Sequence, residues 1–216
     1  MHGIISRFTA LPLYGIGALV VFLLFAVQAE IRFGARARTV RPGASDRNTT
    51  LAVSLSSAVP VLGLALVMKA NSPGPLSSAI PHWFRLATLP GLPLTAWLGV
   101  FLGVCGLALR LSAVLTLRER FTRTLLIQDQ HTIELSGPYH WVRHPGYLGS
   151  LLCLNGVALG SGNLIALLAS LVATSAAYGY RIKVEDEMLL AALGPAYADY
   201  SKHVRAIIPT LHASKM

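Results

Sequence analysis

The sequence predicts an all-α integral membrane protein with about five transmembrane helices, and three observations support this fold class. Of its 216 residues, 54% are hydrophobic and only 12% are charged, whereas an ordinary soluble domain carries about 25% charged residues. Several uncharged apolar runs approach the roughly 20 residues that a helix needs to cross a bilayer. Lys and Arg are concentrated in alternate segments between these runs, as is typical of the cytoplasmic loops of membrane proteins. A soluble domain of this size could not bury so much apolar surface.

The first three predicted spans lie in the N-terminal half of the chain. They cover Leu11–Ala29, Leu51–Met68 and Leu86–Leu109, and none of them contains a charged residue. We expect Pro60 to kink the second span, because a proline removes one helical hydrogen bond and crowds the preceding turn. The third span is expected to hold two prolines in its first turns.

A polar stretch, Arg110–Pro145, separates these spans from a last uncharged run, Leu148–Tyr180. That run would make a helix of about 50 Å, which is too long for one upright span; a single tilted helix is the alternative. The sequence Gly-Ser-Gly-Asn at 160–163 is typical of a turn. We therefore predict a tight helical hairpin as spans four and five. The chain divides into an N-terminal three-span region, 1–109, and a C-terminal region, 110–216, with the connector, the hairpin and a final segment.

The distribution of Lys and Arg predicts the orientation in the membrane. With five spans, one side receives Arg32, Arg36, Arg38, Arg41, Arg47, Arg110, Arg118, Arg120, Arg123, Arg143, Arg181, Lys183, Lys202, Arg205 and Lys215. The other side receives Arg7, Lys69 and Arg85. Because basic loops stay in the cytoplasm, we expect the N-terminus outside and the C-terminus in the cytoplasm. Four spans would place one basic cluster on the wrong side.

The net charge of +9 has a membrane interpretation. In a soluble protein such an excess would suggest nucleic acid, but here the basic residues flank apolar runs, which favours anionic lipid. No nucleic-acid partner is expected. Cys105 and Cys153 lie inside apolar runs, where a thiol is typically a small buried hydrophobe, so no metal site is expected either.

Aromatic and basic side chains crowd the segment that precedes the fourth span. Gly137-Pro138 is typical of a turn, and His144-Pro145 ends any preceding helix. Pro145 also suits the first turn of the next helix, where its missing N–H costs nothing. One interpretation is an interfacial aromatic belt with a lipid-facing arginine. The other is a pocket for an anionic, aromatic-bearing ligand, in which Arg143 pairs with a carboxylate and aromatic faces hold an adenine or a cation.

The segment after the fifth span holds three consecutive acidic residues, Glu185–Glu187, in a chain with only nine. If the helix continues, Arg181 and Glu185 lie one turn apart and Asp186 turns toward an adjacent face. An exposed ion pair on a solvated helix end is one interpretation. A carboxylate site that faces the basic aromatic segment is the other. Neither segment identifies a reaction by itself.

Together the two segments resemble the isoprenylcysteine carboxyl methyltransferase family and the related phospholipid methyltransferases. The resemblance covers about Gln128–Pro209. Its motifs are Gly-Pro-Tyr from Gly137, Arg-His-Pro-x-Tyr-x-Gly from Arg143, Arg-x-x-x-Glu-acid from Arg181, Gly-x-x-Tyr-x-x-Tyr from Gly194, and a closing Ile-Pro. These families are integral membrane enzymes that use S-adenosylmethionine. The resemblance therefore implies a cytosolic C-terminal region that binds this cofactor.

The resemblance also implies roles for individual residues. The cofactor would be lined by His131, Gly137, Tyr139, Arg143, His144, Tyr147 and Glu185. Arg181 and Glu185 would face the methyl-transfer centre as catalytic residues, with Asp186 beside them. This sequence departs from the family pattern at two positions: Asp186 stands where a second glutamate is usual, and Leu193 where a phenylalanine is common.

The implied activity is S-adenosylmethionine-dependent methyl transfer to a lipid-like or prenylated small acceptor that reaches the site from the bilayer. O-methylation of a carboxylate is favoured, because a carboxylate is already nucleophilic at neutral pH; N-methylation of an amine would require a base. Two alternatives have other functions. One is a membrane NADPH-dependent reductase of the sterol-reductase type, which shares an analogous His-Pro-x-Tyr block. The other is a membrane protein without catalytic activity.

Overall fold

The computed structural model describes residues 16–30, 46–71, 75–91, 93–117 and 133–209. The helices are α1 (Ile16–Glu30), α2 (Thr49–Ala70), α3 (Pro75–Ser78), α4 (His82–Leu86), α5 (Leu94–Leu117), α6 (Pro145–Gly160), α7 (Leu164–Leu193) and α8 (Pro195–His203), with a 3₁₀ turn at Gly137–His140 before α6. Within the described residues the only extended pairing is an isolated bridge between Thr88 and Asn163. His131 and residues 11–15 of the first predicted span lie outside the described residues.

Three of these helices, α2, α5 and α7, are long and apolar enough to cross a membrane. The second predicted span is confirmed as α2, which has Pro60 inside it. The described part of α1 has 15 residues and α6 has 16, so each is about 23 Å long. The apolar helices pack side by side, and the main hydrophobic core joins α1, α2, α5, α6 and α7.

The third predicted span, Leu86–Leu109, is wrong at both ends. Leu86 is the last residue of α4, and α5 begins only at Leu94. Two prolines separate these helices, because each proline restricts the residue before it to an extended conformation. Gly91, between the prolines, has a φ of 73° and turns the chain. At its other end α5 continues to Leu117.

Arg110, which the sequence assigns to the polar connector, lies inside α5. Its side chain is buried. Its Nη1 donates to Ser150 Oγ at 2.8 Å, and its guanidinium lies over the ring of Phe25 at 5.3 Å. The expectation that no charge lies well inside a span is therefore wrong. The arginine is tolerated because a hydroxyl and an aromatic face of neighbouring helices interact with its charge.

The predicted C-terminal hairpin forms at the predicted turn. α6 begins at Pro145 and ends at Gly160, and α7 begins four residues later. Asn163 caps α7, because its Oδ1 accepts the backbone N–H of Ala166 at 3.0 Å. This turn excludes the alternative of a single tilted helix.

α7 extends well beyond the uncharged run. Its 30 residues make a helix of about 45 Å, and the uncharged part ends at Tyr180. From Arg181 onward the helix carries charged residues. Gly194, with a φ of 58°, then turns the chain into α8. The polar end of α7, the start of α6 and all of α8 lie together at one end of the helix bundle.

Glycines bring α5 and α6 into backbone contact. A Cβ atom placed on Gly156 would lie 2.6 Å from both the amide nitrogen of Gly103 and the carbonyl oxygen of Gly99. A Cβ placed on Gly106 would lie 2.5 Å from the carbonyl oxygen of Gly149. Small residues permit this close approach between helices in a membrane. The contact fixes α6, and with it the segment that precedes α6, against α5.

Replacing Gly156 with alanine is expected to destabilise the protein by about 1–3 kcal/mol, because the new methyl group meets backbone atoms that cannot move away without separating the helices. Thermal unfolding of the purified protein in detergent measures this change. Gly179→Ala is the matched control: apart from the adjacent backbone of its own helix, nothing lies within 4 Å of its added Cβ, and alanine favours a helix over glycine. Equal unfolding temperatures for the two variants would contradict the backbone contact.

Candidate functional site

The start of α6 and the tail after α8 are joined by backbone hydrogen bonds. The N–H of Arg143 donates to the C=O of Arg205, and the N–H of His144 donates to the C=O of Ala206, both at 2.9 Å. His144 is also the N-cap residue of α6. These bonds hold the side chains of Arg143 and His144 next to the polar end of α7.

Asp186 on α7 accepts three hydrogen bonds from two other segments. Its Oδ2 accepts from Arg143 Nη2 at 2.8 Å, and its Oδ1 lies 2.8 Å from His144 Nε2 and 2.5 Å from the hydroxyl of Tyr197. Asp186 lies beyond the uncharged part of α7. Burial alone would raise its pKa, but the hydrogen bonds from His144, Tyr197 and Arg143 outweigh burial and lower that pKa far below the usual range. The ionised carboxylate accepts only, so His144 presents Nε2–H to it.

Arg143 fastens the C-terminal helix to this centre. Its Nη1 donates to the carbonyl oxygens of Ser201 at 3.0 Å and of Val204 at 2.5 Å, which lie at the end of α8, where carbonyl groups have no partner inside the helix. The Arg143 side chain is only 13% exposed. The interpretation of a lipid-facing arginine is therefore wrong, because this guanidinium points into the protein.

Glu185, one residue before Asp186, is the less satisfied carboxylate. Its Oε2 lies 3.7 Å from His144 Nδ1. This oxygen is buried and has no hydrogen-bond partner among the described residues. A buried acceptor without a partner is costly, so Glu185 has unused capacity to bind a donor or a cation.

Arg181 lies one turn before Glu185 on α7. It is only 4% exposed, so the interpretation of an exposed ion pair on a solvated helix end is wrong. Its Nε donates to the hydroxyl of Tyr147 at 2.7 Å, and its Nη1 donates to the hydroxyls of Thr49 and Thr50 at 3.1 and 3.0 Å. The ring of Tyr147 stacks on His144, with centroids 5.4 Å apart and planes at 14°.

Gly137 and Tyr139 belong to the 3₁₀ turn that precedes α6. Gly137 has a φ of 56°, and a Cβ there would lie 3.0 Å from Thr116 Oγ1, so the position favours glycine. The backbone oxygen of Tyr139 accepts from the hydroxyl of Tyr200 at 2.7 Å. Burial and the nearby charge of Glu185 raise the pKa of the Tyr139 phenol, which stays protonated.

A groove of about 830 Å³ opens beside Gly137. Its described lining is Ala108, Leu111, Ser112, Leu115 and Thr116 of α5 with Ser136 and Gly137. Of the predicted site residues, Gly137 alone belongs to this described lining. The charged cluster lies outside it.

The structure therefore brings together six of the predicted site residues: Arg143, His144, Tyr147, Arg181, Glu185 and Asp186. Gly137 and Tyr139 lie in the 3₁₀ turn that precedes Arg143, and His131 lies outside the described residues. Sequence reasoning missed Asp46, Thr49 and Thr50, which contact Arg181. The available signal was an aspartate shortly before two threonines and an apolar run, which is typical of a helix N-terminus.

The fold and the site together define an all-α, multi-helix membrane protein with a buried charged and aromatic cluster at one end of the helix bundle. Residues 97–191 match the model of the Isoprenylcysteine carboxyl methyltransferase (ICMT) family. The matched segment contains Gly137, Tyr139, Arg143, His144, Tyr147, Arg181, Glu185 and Asp186. The resemblance in the sequence is confirmed over this segment, and the protein is an integral membrane protein.

Curated relatives are named as protein-S-isoprenylcysteine O-methyltransferases. The chain is 30% identical over 155 residues to the protein-S-isoprenylcysteine O-methyltransferase of Tribolium castaneum, covering 68% of this chain and 55% of the relative. It is 30% identical over 146 residues to that of Xenopus laevis, covering 65% and 51%. For protein-S-isoprenylcysteine O-methyltransferase B of Arabidopsis thaliana the identity is 27%, covering 74% and 84%. The chain thus spans about half the length of the first two relatives.

A solved structure of the eukaryotic intramembrane Ras methyltransferase ICMT has a similar fold. The TM-score is 0.52 at 22% sequence identity, and the match covers 92% of this chain and 64% of that chain. At this identity the likeness concerns the arrangement of the helices. The prediction of an all-α membrane fold is confirmed for the described residues at this level.

Proposed function

We propose that the protein is an S-adenosylmethionine-dependent methyltransferase that O-methylates the carboxylate of a lipid-like or prenylated acceptor. The observation that carries the proposal is the carboxylate pair on α7. Asp186 is satisfied by Arg143, His144 and Tyr197, whereas adjacent Glu185 keeps a buried oxygen without a described partner. The names of the curated relatives support the same activity.

The residues present fit this cofactor. When bound, S-adenosylmethionine supplies a methyl group on a positively charged sulfur. The partly buried Glu185 carboxylate offers a negative charge to such a cation, and the buried Oε2 would gain a favourable interaction. The rings of Tyr147 and His144 add aromatic surface that favours a cation. We propose that Gly137, Tyr139, Arg143, His144, Tyr147 and Glu185 hold the cofactor, with His131 as a further prediction.

Within this group Arg143 also positions other parts of the site. Its hydrogen bonds to Asp186 and to the end of α8 hold the tail against the start of α6. Arg143 thereby keeps His144 and Glu185 in a fixed relation. This is a positioning role within the proposed cofactor site.

Arg181 is proposed to orient the acceptor. A carboxylate is already nucleophilic at neutral pH, so its methylation needs correct alignment rather than a general base. One oxygen–carbon bond forms and one sulfur–carbon bond breaks, with no proton transferred. A guanidinium that is fixed on two sides by Tyr147 and by Thr49 and Thr50 suits an anionic group better than an amine. O-methylation is therefore favoured over N-methylation.

We also propose five membrane crossings with the N-terminus outside and the site at the cytoplasmic face. α1 and α6 would cross together with the three long helices. The distribution of basic residues supports this orientation, because Arg47, Lys183, Lys202 and Arg205 lie at the end of the helix bundle that holds the site. A prenyl or acyl acceptor would remain in the bilayer, which favours it by about 0.8 kcal/mol per buried CH₂. The proposal includes neither a metal ion nor a nucleic acid.

The comparisons favour methyl transfer over a reductase of the sterol-reductase type, because the relatives are named as methyltransferases. A reductase would bind NADPH, and a non-catalytic protein would turn over neither cofactor. Binding measurements with S-adenosylhomocysteine and NADPH therefore separate these functions.

The test uses the full chain, purified in detergent and reconstituted in sealed vesicles. We expect tritium from methyl-labelled S-adenosylmethionine to enter an N-acetylated S-farnesyl cysteine, and only when the methyl donor is added on the cytoplasmic side of the protein. Mild base should release the label as methanol, because esters are hydrolysed and N-methyl groups are not. S-adenosylhomocysteine should bind the purified protein.

The matched control is the same S-farnesyl cysteine with its carboxylate converted to an amide, which should accept no label. Binding of NADPH without binding of either sulfur compound would overturn the proposal in favour of the reductase. Label that resists base would replace O-methylation by N-methylation. Activity from the opposite face only would overturn the proposed orientation.

A further inference from the structure

The segment immediately before α2 is built around a buried carboxylate. Asp46 is only 1% exposed. Its Oδ1 accepts the hydroxyls of Thr49 and Thr50 at 3.0 and 2.8 Å, and its Oδ2 accepts the backbone N–H of Thr50 at 3.1 Å. Arg47 and Asn48, which lie between Asp46 and Thr49, have φ values of 45° and 61°. Such values are unusual for residues other than glycine, so the chain is held in a strained turn that folds Asp46 back onto the helix start.

The same two hydroxyls bind the guanidinium of the methyl-transfer centre. Thr49 Oγ1 and Thr50 Oγ1 each accept from Arg181 Nη1, at 3.1 and 3.0 Å. A threonine hydroxyl has one hydrogen and two lone pairs. Because both hydrogens are donated to Asp46, both oxygens are left to accept from Arg181. The carboxylate thus sets the direction of these hydrogen bonds.

Asp46 also acts on Arg181 directly through its charge. Its Oδ1 lies 3.6 Å from Arg181 Nη1. Burial alone would raise the pKa of Asp46, but the hydrogen bonds from Thr50 and Thr49 and the charge of Arg181 lower it. Asp46 is therefore ionised when the protein is folded. Without its charge, Arg181 would be a buried cation with one fewer counter-charge.

On the opposite edge of the guanidinium, Arg181 Nε donates to the hydroxyl of Tyr147. Tyr147 stacks on His144, whose ring contacts Asp186 and lies near Glu185. Arg181 is therefore held at both edges. One edge is set by the centre itself, and the other by residues more than 130 positions earlier in the chain.

We propose that Asp46 is a positioning residue for methyl transfer: through Thr49 and Thr50 it fixes the guanidinium of Arg181 so that this group can orient the acceptor carboxylate. The catalytic part of this inference rests on the proposed function. It requires that the loss of Asp46 affect turnover through Arg181 and not only through the stability of α2. The N-terminal three-span region would then contribute to the site as well as cross the membrane.

A double-mutant cycle tests this inference. Asp46→Asn keeps the size of the side chain and removes its charge. We expect kcat for the N-acetylated S-farnesyl cysteine to fall at least about tenfold, while the affinity for S-adenosylhomocysteine changes less than about twofold, because Glu185 is unaffected. In an Arg181→Gln background, Asp46→Asn should change kcat less than about twofold. Independent, multiplicative effects of the two substitutions on kcat would overturn the proposal.

The control comes from the same segment. Arg47 pairs with Glu187 at 2.7 Å through side chains that are about half exposed, so Arg47→Gln should leave kcat near the wild-type value. If Asp46→Asn does not fold, Thr50→Val and Thr50→Ser replace it. The valine removes the hydroxyl that accepts from Arg181 and should lower kcat, whereas the serine retains it and should restore most activity. Equal kcat values for valine and serine would overturn the proposal.

The link between Asp46 and Arg181 can be tested separately from the proposed function. If the wild-type protein transfers no methyl group, thermal unfolding of the same four proteins in the cycle decides whether Asp46 acts on Arg181. Non-additive changes in unfolding temperature would support the positioning link without methyl transfer. Additive changes would overturn it.

Discussion

Replacing Asp186 with asparagine is expected to reduce methyl transfer by at least about a hundredfold and to destabilise the fold. The carboxylate accepts from Arg143, His144 and Tyr197 at once. Removing its charge leaves the guanidinium of Arg143, which is 13% exposed, without its counter-ion. Breaking a buried pair costs about 3–5 kcal/mol, and we expect the lower end because the Asp186 side chain is 26% exposed. Loss of this anchor would release α8 and displace His144 beside Glu185.

Thermal unfolding in detergent and single-turnover methyl transfer measure the two effects of Asp186→Asn. The low pKa of Asp186 adds a pH dependence. Its stabilising contribution is present above the ordinary aspartate pKa of about 3.9 and is lost as the pH falls toward the much lower folded value. The variant should therefore lose less stability on acidification than the wild type. Glu187→Gln is the control, because Glu187 is 44% exposed and pairs with exposed Arg47. Wild-type stability and activity of Asp186→Asn would contradict its central position.

The apolar part of the fold could be predicted because uncharged runs and turn residues are local signals. The uncharged run from Leu51 predicted α2, and Gly-Ser-Gly-Asn at 160–163 predicted the hairpin turn. The third span was ended too early because a charge, Arg110, was taken as its C-terminal limit. Arg110 continues the helix since Ser150, 40 positions later, accepts its hydrogen bond. The residues close to Arg110 in the sequence do not indicate this distant partner.

The candidate site was predictable as a set of residues but not as a set of contacts. The motifs placed Arg143 and His144 before one helix and Glu185 and Asp186 on another, and the structure brings these four together. Which of the two carboxylates accepts the hydrogen bonds of Arg143 and His144 depends on the angle between α6 and α7. The spacing of the motifs in the sequence does not determine this angle. Asp186, shorter than the usual glutamate, still reaches Arg143 and His144 at 2.8 Å. The contribution of Asp46 required the tertiary fold.

Glu185→Gln is expected to weaken S-adenosylmethionine binding about 10- to 100-fold while leaving the unfolding temperature nearly unchanged. The substitution removes a negative charge beside His144 but breaks no described hydrogen bond of the buried oxygen Oε2. Interactions that involve a charged group contribute about 1.5–3 kcal/mol, which corresponds to this range of affinity. Equilibrium binding to the purified protein measures the change, and methyl transfer to the prenylated cysteine should fall in parallel.

The charge of the sulfur provides a more specific test of Glu185. S-adenosylmethionine carries a positive sulfur and S-adenosylhomocysteine a neutral one, and the two otherwise differ by one methyl group. If Glu185 stabilises the cation, Glu185→Gln should weaken the first ligand at least about fivefold more than the second. Glu185→Asp, which keeps the charge, should retain most of this preference. An equal loss of affinity for both ligands would mean that Glu185 shapes the pocket without recognising the charge, and another group would then have to stabilise the sulfonium.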